Sequence, residues 1–143
     1  MSTRVREGAL PRFFLRGLGV WGLLLGFAIV NGIFRQRVLE PFLGPEPAHI
    51  LSTTTLAGAV FLAALLFVSL ASETRSRTDL LALGVLWATL TWVLELWLGL
   101  ARGVASADLL ADYDSACCRL FGLILLAELF SPPIAGFLRR AGG

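Results

Sequence analysis

Two carboxylates stand inside apolar runs of this sequence, and they are the residues best placed to do chemistry. Glu95 lies in Thr91-Trp-Val-Leu-Glu-Leu-Trp-Leu-Gly-Leu100, and Glu128 in Leu120-Phe-Gly-Leu-Ile-Leu-Leu-Ala-Glu-Leu129. A charge at bilayer depth costs roughly 2.5 to 3.5 kcal/mol on insertion scales, so such a group has a partner or a task. The tasks open to it are neutralising an arginine, holding a small ion or carrying a proton. Polar residues that could share that work are Asn31 and Arg35, spaced one helical turn apart, with His49, Thr91, Arg102, Asp112 and Arg119.

Other chemistry is poorly served. Cys117-Cys118 is an adjacent pair, whereas a membrane thiol oxidoreductase uses Cys-x-x-Cys; neighbouring cysteines close only a strained ring and have no second pair to exchange with. One His with scattered carboxylates makes no metal site, and no cofactor is expected. Asp108, Asp112 and Asp114 fit no calcium-loop spacing and read as a solvated face. Ser52, Thr53, Thr54 and Thr55 lie near His49, but hydroxyls in membrane helices usually bond backbone carbonyls. No basic stripe with interleaved aromatics suggests nucleic acid. The residues lean away from an enzyme.

The elements that must position these groups are membrane spans. With 57% hydrophobic and 15% charged residues and a mean hydropathy of +0.80, the chain lies outside the range of ordinary soluble domains. Apolar segments at about 13–34, 50–71, 80–101 and 120–138 are each long enough to cross a hydrocarbon core. The fold class predicted is all-α, a single membrane domain built as a four-helix antiparallel bundle. The first segment follows several arginines but lacks a small-x-small cleavage pattern, so it reads as a retained span. Every basic residue is Arg, a bias suggestive of a bacterium with a high-GC genome. Arg4, Arg6, Arg12, Arg16, Arg75, Arg77, Arg139 and Arg140 fall on one side and Arg35, Arg37, Arg102 and Arg119 on the other, so both termini are expected in the cytoplasm, in a bacterial inner membrane. Trp92, Trp97 and Tyr113 then sit near the outer boundary.

The connections differ. Residues 72–79 are short and polar, which predicts that the second and third spans are antiparallel neighbours, with Thr78 or Ser76 capping the third. The stretch 35–48 holds Pro41, Pro45 and Pro47 and reads as a stiff loop; 106–114 reads as a short capped interfacial helix. Pro132-Pro133 predicts a kink in the fourth span.

Helical spacing from Glu95 gathers Gly84, Ala88, Thr91 and Arg102 on one face, a polar seam facing protein. Gly22 and Gly26 form a GxxxG notch in the first span. Arg119 and Glu128 lie on roughly opposite sides of the fourth helix, so only one joins the seam, and Arg119 is at the matching depth. The expected site is therefore an outward-facing cluster of Asn31, Arg35, His49, Thr91, Glu95, Arg102, Asp112 and Arg119, with Glu128 a second intramembrane carboxylate. The plainer alternative is an ion pair that only fixes helix register.

Asn31-Gly-Ile-Phe-Arg35, Ala48-His49, Thr91-Trp-Val-Leu-Glu95, Leu110-Ala-Asp-Tyr113 and Arg119-Leu120, in this order, resemble a family of small four-span bacterial inner-membrane proteins without an assigned activity. The resemblance implies a shared four-span fold and outward polar residues. It also implies Gly-Arg-Leu where this chain has Cys118-Arg119-Leu120. Three functions compete: a pocket binding a lipid headgroup or small ion, an accessory subunit or assembly factor of a larger membrane complex, and proton-coupled transport of a small solute. Expected partners are membrane lipids and another membrane protein or a second copy of the chain.

Overall fold

The computed structural model describes residues 3–71, 75–101, 103 and 116–142, and the side chains of 10–71, 75–101, 103 and 120–142. Every element among the described residues is helical: α1 (Thr3–Phe34), a π-helical turn (Arg35–Leu39), α2 (Glu40–Leu43), α3 (Pro45–Leu70), α4 (Arg77–Ala101) and α5 (Ala116–Ala141). Four stretches are long and apolar enough to cross a membrane: Leu10–Leu43, Pro45–Leu70, Arg77–Ala101 and Leu120–Ala141. Large apolar side chains point away from the protein along their length, among them Leu23 at 76%, Leu62 at 56% and Leu70 at 82% exposure. A soluble monomer does not leave so continuous an apolar surface to water.

The stretch 35–48 is helical rather than a loop. Pro45 falls in the first turn of α3, where the missing N–H would have no partner anyway, and Pro41 directly follows the π-helical turn, in a helix continuous with α1. The chain turns at Gly44 alone, whose φ of 84° suits a residue without Cβ. Ser76 caps α4 reciprocally, its hydroxyl accepting from the Asp79 N–H while the Asp79 carboxylate accepts from the Ser76 N–H.

The packing order departs from the expectation of adjacent second and third spans. Among the described residues α5 lies against both α3 and α4, α1 lies against α3 and touches α4, and α3 and α4 make no close backbone approach. Residues 71–76, fully extended, reach about 20 Å, enough to pass an intervening helix. A short polar connection thus limits the separation of its two helices without making them neighbours.

Helices in lipid gain little from burying apolar surface against each other, so close approach and interhelical hydrogen bonds decide where they meet. Gly84 of α4 supplies the closest approach. A Cβ there would overlap the Leu129 carbonyl oxygen of α5 and fall 3.1 Å from that of Glu128. These are the carbonyls that Pro133 and Pro132 leave without their helical donors. The paired prolines are therefore covered by α4, and α5 remains helical through them. On α3 buried residues recur every fourth position, at Val60, Ala64 and Val68, and Val68 accepts a 2.7 Å hydrogen bond from Arg139 through its carbonyl. Phe13 meets Phe67 at one end of the α1–α3 contact, with ring centroids 5.2 Å apart, and Asn31 meets Ser52 toward the other.

The Gly22 and Gly26 notch does not pack: nothing lies within 4 Å of a Cβ at either position. The glycine that matters on α1 is Gly17, against the Leu83 side chain. Gly84→Ala should therefore lower the melting temperature of the purified protein, corresponding to about 1 to 3 kcal/mol of overpacking, while Gly22→Ala and Gly26→Ala leave it unchanged or raise it. Equal effects at the three sites would contradict the packing.

Candidate functional site

The α4 face that meets the other helices is set by Trp87. Buried positions on α4 run Leu80, Leu83, Gly84 and Trp87, and the half-buried Thr91, Leu94 and Leu98 continue the stripe. Trp87 is wholly enclosed, and its indole N–H donates to the Gly17 carbonyl of α1 at 2.9 Å. One turn further on the relation reverses, with the Trp21 indole of α1 donating to the Thr91 hydroxyl of α4 at 2.9 Å. Two indole bonds of opposite direction fix the register of α1 on α4.

Because the Thr91 oxygen accepts from Trp21, its own proton points elsewhere. It donates to Glu128 Oε1 of α5 at 2.7 Å. Glu128 lies near the middle of a 26-residue helix, about 20 Å from either end, and is only 4% exposed. Its second oxygen, Oε2, is buried and has no hydrogen-bond partner. Beside it is a cavity of about 60 Å³ lined by Trp21, Leu24, Leu56, Val60, Thr91 and Ile124, which exceeds the roughly 10 to 15 Å³ one water needs. Among the described residues the ion pair present is Arg35–Glu40, so no arginine there neutralises Glu128. A carboxylate anion buried without a countercharge costs several kcal/mol.

The polar residues around the π-helical turn form a separate group. Asn31 of α1 donates to the Ser52 hydroxyl at 2.8 Å and to the Ser52 carbonyl at 2.9 Å. Arg35 donates to His49 Nδ1, and its Nε lies 3.4 Å from Glu40 Oε1. The π-helical turn makes the Arg35–Glu40 pairing possible, since residues five apart are in register there, as the Glu40 N–H to Arg35 carbonyl bond records. This group neutralises its own charge.

Sequence spacing thus brought Asn31, Arg35 and His49 together, but separated them from the residues expected beside them. Thr91 belongs to the Glu128 site. Glu95, expected at the heart of the seam, is exposed on α4 and has no hydrogen bond or ion pair among the described residues. Gly84 and Thr91 fit two overlapping stripes, one through Ala88 and Glu95 and one through Trp87 and Leu94; burial of the indole selects the second. Arg102 and Asp112 lie outside the described residues. Arg119 is in α5, but its side chain is outside them, as are those of Cys117 and Cys118. Trp21, Ser52 and Glu40 entered no expected site. For Glu128 itself a signal existed: Ile124, Ser131 and Ala135 share its face at helical spacing, and all three are buried. Comparison with protein families, curated proteins and solved structures gives no match to this chain.

Thr91→Val keeps the shape of the side chain and removes both bonds, leaving the Trp21 donor and the Glu128 acceptor unsatisfied. It should destabilise the purified protein by about 1 to 3 kcal/mol, with Thr91→Ser much milder. A double-mutant cycle of Thr91→Val with Glu128→Met, which removes the acceptor at similar length, should give a coupling energy of about 0.5 kcal/mol or more. A coupling near zero would mean that the two side chains do not interact.

Proposed function

We propose that this chain is a non-enzymatic, multi-pass protein of a bacterial cytoplasmic membrane that reversibly binds a proton or small monovalent cation at Glu128. The observation that carries the reading is the buried Oε2, without a partner and beside a cavity at mid-helix depth. An intramembrane carboxylate in such a setting is a functional group before it is a packing group. The ligand inferred is small because the space is small. Thr91, held by Trp21, orients the carboxyl and leaves one oxygen for the ion.

The same reading includes an antiparallel course with both termini cytoplasmic. In support, Phe13 pairs with Phe67 where Asn31 pairs with Ser52, and α4 residues 84 and 91 meet α5 near 128 and 129 while the ends Arg77 and Arg140 line one groove. The arginine distribution supports the orientation, and the resemblance to small inner-membrane proteins supports the bacterial setting.

A second reading, an accessory subunit of a larger complex, draws on Glu95. It is exposed about 9 Å inside the end of α4, where a partner helix could satisfy it. The gently solubilised protein would then migrate with other subunits on native gels, and Glu95→Ala would release it. Migration of the chain alone, or only with copies of itself, would count against that role.

For the ion site, melting temperatures of the reconstituted protein should change with pH or with Na⁺ or K⁺ concentration, since a ligand at about 100 times its dissociation constant adds roughly 2.7 kcal/mol. Glu128→Gln should abolish that dependence and Glu95→Gln should retain it. A dependence that survives Glu128→Gln, or none in the parent, would end the proposal.

A further inference from the structure

A second opening lies between α4 and α5 at the end of the bundle remote from the π-helical turn. It is a groove of about 260 Å³ whose rim carries Arg77 and Arg140. Leu80, only 2% exposed, forms its floor, leaning over Gly136 where a Cβ would stand. Ile134 and Phe137 form its exposed apolar wall, at 44% and 62% exposure. The missing side chain at Gly136 makes room for Leu80.

Its charge is one-sided. Neither Arg77 nor Arg140 has an ion pair among the described residues. The nearby carboxylate of Asp79 is engaged by the Ser76 N–H as part of the α4 cap. Arg140 donates to the Arg75 carbonyl at 2.5 Å, which ties it to the rim and leaves further guanidinium N–H groups available. Arg139, by contrast, is committed to the Val68 carbonyl on the α3 side. Arg77 is also the first residue of α4, so its charge adds to the positive end of the helix dipole.

We propose that this groove binds one anionic phospholipid, with its phosphate held by Arg77 and Arg140 and an acyl chain lying along Leu80, Ile134 and Phe137. Guanidinium groups grip phosphate oxygens in bidentate pairs. Both arginines stand at helix ends, the depth at which lipid phosphates lie. The occupant is anionic rather than zwitterionic because, among the described residues, the groove is lined by two arginines and no carboxylate. The proposal is independent of ion binding at Glu128.

The test is native mass spectrometry of the full chain released from detergent containing equal amounts of phosphatidylglycerol and phosphatidylcholine. The parent should retain one phosphatidylglycerol in preference to phosphatidylcholine by about tenfold or more. Arg77→Gln with Arg140→Gln should remove the preference, and Ile134→Trp, which fills the groove, should lower retention with both arginines present. Arg12→Gln with Arg16→Gln, an equal loss of charge on α1, should leave it intact. Excess soluble glycerophosphoglycerol should not displace the lipid. Equal retention of the two lipids, an equal loss in the α1 control, or displacement by the soluble headgroup would each overturn the site.

Discussion

One hydroxyl group joins three of the four long helices. Thr91 accepts from the Trp21 indole of α1 and donates to the Glu128 carboxyl of α5, and the two roles together leave its proton no other direction. In lipid, where packing between helices competes with packing against acyl chains, such a shared polar atom is worth more for registration than for raw stability. The reciprocal Trp87 to Gly17 bond, one turn away, makes the α1–α4 register doubly determined. Glu128 follows from that register: once Thr91 faces inward, the α5 carboxyl opposite it has one hydrogen-bonded oxygen and one buried without a partner, and the residue lines a cavity.

The two polar sites differ in kind. At the π-helical end of the bundle Arg35 donates to His49 and pairs with Glu40, with Asn31 and Ser52 alongside, and the buried Arg35 Nε has no hydrogen-bond partner. That arrangement joins α1 to α3 and pairs the Arg35 charge with Glu40. At mid-helix the carboxyl of Glu128 has a hydrogen bond but no countercharge among the described residues. The proposed ion site is the second, because it is the one without a countercharge among the described residues.

The spans were legible because composition and length alone define them, and Ser76 was legible as a cap because its chemistry is local. The glycine and proline positions were not. Gly22 and Gly26 have a packing pattern but face outward, whereas Gly17 and Gly84, which no motif marks, take the close contacts. Prolines 41 and 45 suggested a loop, yet Pro45 takes a first-turn position that accepts proline, Pro41 follows directly on the π-helical turn, and only Gly44 breaks the helix. Glu95 and Glu128 exchanged places for a related reason. Spacing offers α4 two stripes that share Gly84 and Thr91, and only the three-dimensional burial of Trp87 chooses between them. Helix neighbours were equally hidden, because a six-residue connection at 71–76 bounds a distance without assigning a contact.

The central claim is that the Glu128 carboxyl is the group that meets the ion. The most direct measurement is the infrared difference spectrum of the reconstituted protein on changing pH or adding Na⁺ or K⁺. The account predicts a change in the carboxyl or carboxylate stretching bands that disappears in Glu128→Gln, shifts in Thr91→Val and persists in Glu95→Gln. Identical difference spectra for the parent and Glu128→Gln would contradict it.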